Sequence, residues 1–158
     1  MEETLGTVTA IQQIAQLPAR YAHALDARDL DALLALFAGG DALREFFDAA
    51  LRGFGRSVHA VSTQSVDLVD ADHATGVAYC RAEHEGTDGG WFAMQLRYDD
   101  AYERRDGRWL FTRRRERVWW SQTIAAPDVT ISHWPAGIRP PRRLPDDFPT
   151  WDRFWGKP

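Results

Sequence analysis

The chain has one cysteine, one lysine and, ahead of residue 127, one proline. With Cys80 alone, no disulfide can form within the chain, and a reducing cytoplasm is the expected setting. No apolar run approaches the roughly 20 residues that span a bilayer, and the acidic opening MEET lacks the basic start of a signal peptide. No membrane partner is expected. A net charge of −4 argues against nucleic acid, whose phosphates need a cationic surface. Neither a glycine-rich phosphate loop nor a zinc-type spacing of histidine, cysteine and carboxylate occurs, so no cofactor and no metal are expected. The one cationic run, Arg113-Arg114-Arg115 with Arg117, alternates faces if it is a regular strand. It then reads as a solvated edge or a surface for an acidic partner.

What is present falls into helices first, strands second and a proline-rich tail last. At 158 residues, 44% hydrophobic and 27% charged, the chain has the make-up of one globular domain with a sizeable core. Ile11, Ile14, Leu17, Tyr21 and Leu25 recur at three- and four-residue spacing and predict an amphipathic helix. Pro18 predicts a kink in it, or a restart with the proline in a first turn. Asp29 suits the N-cap of a second helix, Leu30 to Phe37, which Gly39-Gly40 ends; Asp41 caps a third through about Leu51. From Ser57 the period shortens to two. Ser57 to Leu68, Ala74 to Glu85, Trp91 to Arg105 and Arg108 to about Gln122 read as four strands, with Asp106-Gly107 as a type I′ hairpin turn. Short turns imply an antiparallel meander, and helices gathered ahead of it imply an α+β layer with helices on one face. Residues 1–126 read as this domain. Residues 127–158 read as a tail holding every proline but Pro18. Its tryptophans, Trp134, Trp151 and Trp155, are expected to anchor it on the domain or a neighbouring subunit, and its prolines speak against a regular helix.

Three segments, RYAHALDARDLDALLALF, DALREFFDAAL and YDDAYERRDGRWLFTRR, resemble the SnoaL-like domain of the nuclear transport factor 2 superfamily. The resemblance implies a cone-shaped α+β fold, a curved antiparallel sheet wrapped on helices around a pocket. Its scytalone dehydratase and bile acid dehydratase branch is nearest. By that resemblance Asp26, in LDARD, stands at a catalytic aspartate, His59, in SVHAV, and His84, in GVAYCRAEH, stand at two catalytic histidines, and Tyr21 at a pocket tyrosine. A serine and an asparagine of the scytalone enzyme fall on Leu96 and Tyr98 here, and the strand usual between the second and third helices has no counterpart between Phe37 and Asp41.

Strand alternation is an independent guide to the pocket. Ala78, Cys80, Ala82 and His84 share one face, as do Phe92, Met94, Leu96, Tyr98 and Asp100, and as do His59, Val61 and Thr63. Apolar walls with a few placed polar groups suit a small hydrophobic molecule, touched by Tyr21, Cys80, Met94, Leu96, Tyr98 and Asp100. Asp26 with His84 would make a general base, with His59 as second proton donor or orienter, and the phenols of Tyr21 and Tyr98 would polarise a carbonyl. The chemistry that needs only this is proton abstraction beside a carbonyl, then loss of water or reprotonation elsewhere. The expectation is a cofactor-independent lyase or isomerase of dehydratase type, acting on a polyketide-, steroid- or terpenoid-like molecule, in a homo-oligomer paired through the open face of the sheet. A non-catalytic binding protein is the alternative, with Asp26 a helix cap and the histidines structural. A third reading is an interaction protein whose tail docks a partner through Trp151 and Trp155. His23 and His73 read as surface residues, and His133 as a residue that could cover the pocket.

Overall fold

The computed structural model describes residues 2–128, 130 and 132–156. Helices come first: α1 (Glu2–Ala15), α2 (Leu17–Asp26), α3 (Leu30–Leu34), a 3-10 turn (Gly40–Leu43) and α4 (Arg44–Arg52). Four strands follow, β1 (Phe54–Leu68), β2 (His73–Gly86), β3 (Trp91–Arg105) and β4 (Arg108–Ile124), and a last helix, α5 (Pro149–Trp155). The strands form one antiparallel sheet in the order β1-β2-β3-β4, curved around the helices. This is the expected α+β meander with its helices gathered on one face.

Local chemistry accounts for the boundaries. Pro18 restarts the chain as α2, in whose first turn its missing N–H is no loss. The Asp29 carboxylate accepts from the Ala32 N–H and caps α3, which ends at Leu34 rather than Phe37. Asp106 and Gly107 both have positive φ, 49° and 76°, as a type I′ turn requires. Gly76 is needed for space rather than for φ. A Cβ there would lie 3.0 Å from the Tyr102 ring, so only glycine lets that ring cross β2.

The core lies between α2 and the concave face of the sheet. Tyr21 stands at its centre, its ring centroid 6.0–6.3 Å from those of Phe37, Phe47, Tyr98 and Phe111. The strand that seemed to be missing survives as a single parallel bridge, Phe37 to Phe111. Its backbone bonds, Ala38 N–H to Phe111 O and Phe111 N–H to Leu36 O, cover part of the β4 edge.

Further sequence readings need correction. Ile11 lies on an exposed face of α1 with Leu5 and Val8, and the buried stripe begins at Ile14. Thr63 is exposed, because a bulge between Val61 and Gln64 flips the pairing and returns Gln64 to the concave face. The tail does hold a helix, since Pro149 sits where a proline is tolerated, in the first turn of α5. Within the tail, Trp151 and Phe154 are buried whereas Trp134 is exposed. Residues 129, 131, 157 and 158 of the tail lie outside the described residues. Among the described residues no helix is long and apolar enough to cross a membrane.

Candidate functional site

Asp26 is the last residue of α2, where the helix dipole disfavours a carboxylate unless donors meet it. β1 supplies them. A register shift between Phe54 and Ser57 turns Ser57 and His59 toward the helix end. The Ser57 hydroxyl donates to Asp26 Oδ1 at 3.0 Å, the His59 backbone N–H to Oδ2 at 2.9 Å, and His59 Nδ1 lies 2.7 Å from Oδ1. An ionised carboxylate only accepts, so Nδ1 carries the proton and Nε2 is left as the basic nitrogen. The His59 and Asp26 side chains are only 8% and 18% exposed.

The histidine bound to Asp26 is thus His59 and not His84. Both lie on the concave face, but Ser57 pairs with His84 and His59 with Ala82, so the rings are diagonal neighbours, their centroids 5.2 Å apart. Proximity to the end of α2 selects His59. His84 stacks on Phe92 and packs against Phe54, and its buried Nδ1 has no hydrogen-bond partner among the described residues. Burial, then the neighbouring His59 and Arg28, lowers its pKa to about 4. It is a neutral imidazole at physiological pH.

Both histidines line a cavity of about 250 Å³ with Met94, Leu96 and Tyr98, and Phe46 at its mouth. An adjoining chamber of about 330 Å³ shares Tyr21, Tyr98 and Glu116 and adds Arg114. Tyr21, Met94, Leu96 and Tyr98 therefore stand where expected. Cys80 and Asp100 share that face but are covered: Cys80 is fully buried and Asp100 is taken up by Arg114 and Tyr102. Burial pushes the Tyr21 hydroxyl up to about 12 and Tyr98 further, so both phenols keep their protons as donors. His23, His73 and His133 are exposed.

Arg114 is the residue that sequence reasoning missed. Instead of joining a solvated edge, it is 5% exposed, forks onto both Asp100 oxygens at 2.9 and 2.7 Å, and lies over the rings of Tyr21, Tyr98 and Phe111. The cause is a bulge at Thr112, which re-registers β4 between Phe111 and Arg113 and sets Arg114 against Asp100 on the concave face. Its Nη1 is buried without a partner among the described residues. Glu116, two residues on, borders both chambers; loss of hydration raises its carboxyl pKa against the pull of His59 and Arg114. Among the described residues no group of three histidine, cysteine or acidic side chains is placed to hold a metal.

Comparison with known proteins bears on the family and the fold. Residues 36–115, just over half the chain, match the sequence profile of the SnoaL-like domain. No curated protein sequence matches the chain. Among solved structures, a provisionally assigned scytalone dehydratase from Novosphingobium aromaticivorans is similar at TM-score 0.70 and 22% identity, over 78% of this chain and 93% of that one. The type 3 hexachlorocyclohexane dehydrochlorinase of Novosphingobium barchaimii is similar at 0.69 and 17%, over 78% and 96%. A Mycobacterium tuberculosis protein of unknown function is similar at 0.60 and 26%, over 68% and 70%. The first two likenesses, at such identities, are likenesses of fold.

Proposed function

Because the chain belongs to the SnoaL-like domain family, we propose that it is a cofactor-independent lyase or isomerase in which His59, oriented by Asp26, moves a proton on a small hydrophobic molecule. The observation that carries this is the 2.7 Å contact between Asp26 Oδ1 and His59 Nδ1 at the wall of a mainly apolar cavity. In this reading Nε2 of His59 takes a proton from a carbon beside a carbonyl, and the C–H electron pair passes into an enolate. Tyr98 and Tyr21, whose rings lie under the Arg114 guanidinium, are donors for the enolate oxygen. The imidazolium then returns its proton, either to a leaving hydroxyl, which departs as water, or to another carbon. Neutral His84 holds the leaving group by hydrogen bonding. It replaces His59 in the orienting role that the sequence suggested.

Aromatic and aliphatic walls favour a polyketide-, steroid- or terpenoid-like substrate. A screen of β-hydroxycarbonyl and unsaturated ketone compounds of that kind, followed by dehydration or double-bond migration, tests the proposal. On any substrate found, His59→Ala and Asp26→Asn should each lower kcat by about 100-fold or more; undiminished turnover in both would sink it. A non-catalytic binding protein is the second reading, favoured by aliphatic Leu96 on the wall and by His84 Nδ1, which has no hydrogen-bond partner among the described residues. It gives ligand retention without turnover, and variants altered in stability alone. Exposed Trp119 and Trp120 on the convex face of the sheet favour a homo-oligomer, and the lone thiol of Cys80 favours the cytoplasm.

A further inference from the structure

Arg28 is charged, 2% exposed and outside the pocket, and the proton transfer above makes no use of it. It follows α2 with a positive φ of 56°, a conformation that a non-glycine residue keeps only when its surroundings hold it. Those surroundings are specific. Nη1 donates to Leu25 O at 2.6 Å and to Ser57 Oγ at 2.9 Å, and Nη2 donates to Gly55 O. The guanidinium lies over the Trp151 ring of α5, 5.1 Å from its centroid, and Thr150 of the same helix donates to Ala27 O at 2.6 Å. Among the described residues no carboxylate bonds Arg28 directly. The negative charge that offsets it is Asp26, one serine away.

The direction of these bonds is fixed by chemistry. A guanidinium can only donate, so Ser57 Oγ must accept from Arg28, and its single proton is left for Asp26. Asp26 then receives three donors, from the Ser57 hydroxyl, the His59 backbone N–H and His59 Nδ1. Resting on the proposed His59 base, we propose that Arg28, clamped by the C-terminal helix, is a positioning residue: it orders Ser57, whose hydroxyl holds the Asp26 carboxylate against His59 Nδ1, so that His59 keeps its proton there. A merely structural arginine would tie Leu25 to Gly55 and leave the Asp26 carboxylate free to turn away from Nδ1. The path Trp151–Arg28–Ser57–Asp26–His59 makes docking of the tail a condition for a correctly oriented base.

The test reads the tautomer and not activity, using ¹⁵N-histidine-labelled full-length protein and long-range ¹H–¹⁵N correlation at neutral pH. Wild type should show His59 protonated on Nδ1, with a hydrogen-bonded Nδ1–H signal. Arg28→Met and Trp151→Ala should lose that signal and average the two ring nitrogens, while Arg28→Lys should recover it in part. Should Arg28→Met fail to fold by circular dichroism, Ser57→Ala cuts the same link and is read in the same way. A folded Arg28→Met or Ser57→Ala protein with the wild-type tautomer overturns the role of Arg28 and leaves the pair standing. A wild-type protein without the Nδ1–H tautomer overturns the pair itself.

Discussion

A carboxylate in the last turn of a helix and an imidazole stripped of water are each unfavourable alone. The site contains one of each, with opposite outcomes. Asp26 is met by three donors, whereas among the described residues His84 meets none at Nδ1 and stays neutral. A histidine whose pKa falls from 6.5 to about 4 on folding takes up its proton more readily in the unfolded chain. Between those pH values the unfolded state binds more protons, so stability rises with pH and is lost as pH falls from 6.5 toward 4. The full loss is about 3 kcal/mol. In His84→Phe, which keeps the stacking on Phe92, this part of the acid sensitivity should vanish. Urea unfolding at pH 7.5 and pH 4.5 checks it: an unchanged difference between the two pH values in the variant would mean that His84 is not held neutral. Residue identity alone marked Asp26, His59 and His84 through the family resemblance. It could not say which histidine meets the carboxylate, because both share a face and only the placement of α2 over β1 separates them.

Strands with an even pleat are legible from sequence, and strands with bulges are not, since one extra residue reverses every face beyond it. β2 and β3 pair without interruption, and their concave stripes, ending in His84 and in Tyr98 and Asp100, fall where alternation put them. β1 and β4 carry bulges, and there Thr63 and Arg114 were misread. Proline density misled in the same way for α5, because Pro149 is harmless in a first turn. The bulge at Thr112 has an energetic consequence. It buries the ion pair of Arg114 and Asp100, whose side chains are 5% and 0% exposed. Removing one partner of such a pair strands the other charge, so Arg114→Met should cost about 3–5 kcal/mol. The double variant Arg114→Met, Asp100→Leu should recover at least half of that. Denaturant unfolding of the two variants measures it, and a single-variant cost under about 1 kcal/mol would show the pair to be solvated.

At the scale of the whole molecule, the curvature of the sheet gives it two unlike faces. The concave face closes on α2 and holds the pocket, while the convex face is left with Tyr79 and Trp119 packed edge to edge and with Trp120 under the Arg81 guanidinium. Trp119 is 63% exposed and Trp120 40%. Trp119 is the extra residue of a bulge in β4, which pushes its indole out of the sheet. Large aromatic rings beside an arginine, on a surface rich in charge, have the composition of an interface centre. A second copy of the chain is the proposed occupant, because an exposed antiparallel sheet face can pair with its own copy about a two-fold axis or in a ring. Sedimentation should then give a mass well above the 18.0 kDa of one chain. Trp119→Glu, placing a charge at the middle of the contact, should return the protein to 18.0 kDa with its circular dichroism intact. Since the pocket opens on the other face, the same variant should leave the His59 tautomer unchanged. A wild-type protein that sediments as a monomer would reject the pairing and leave the convex tryptophans for a different partner.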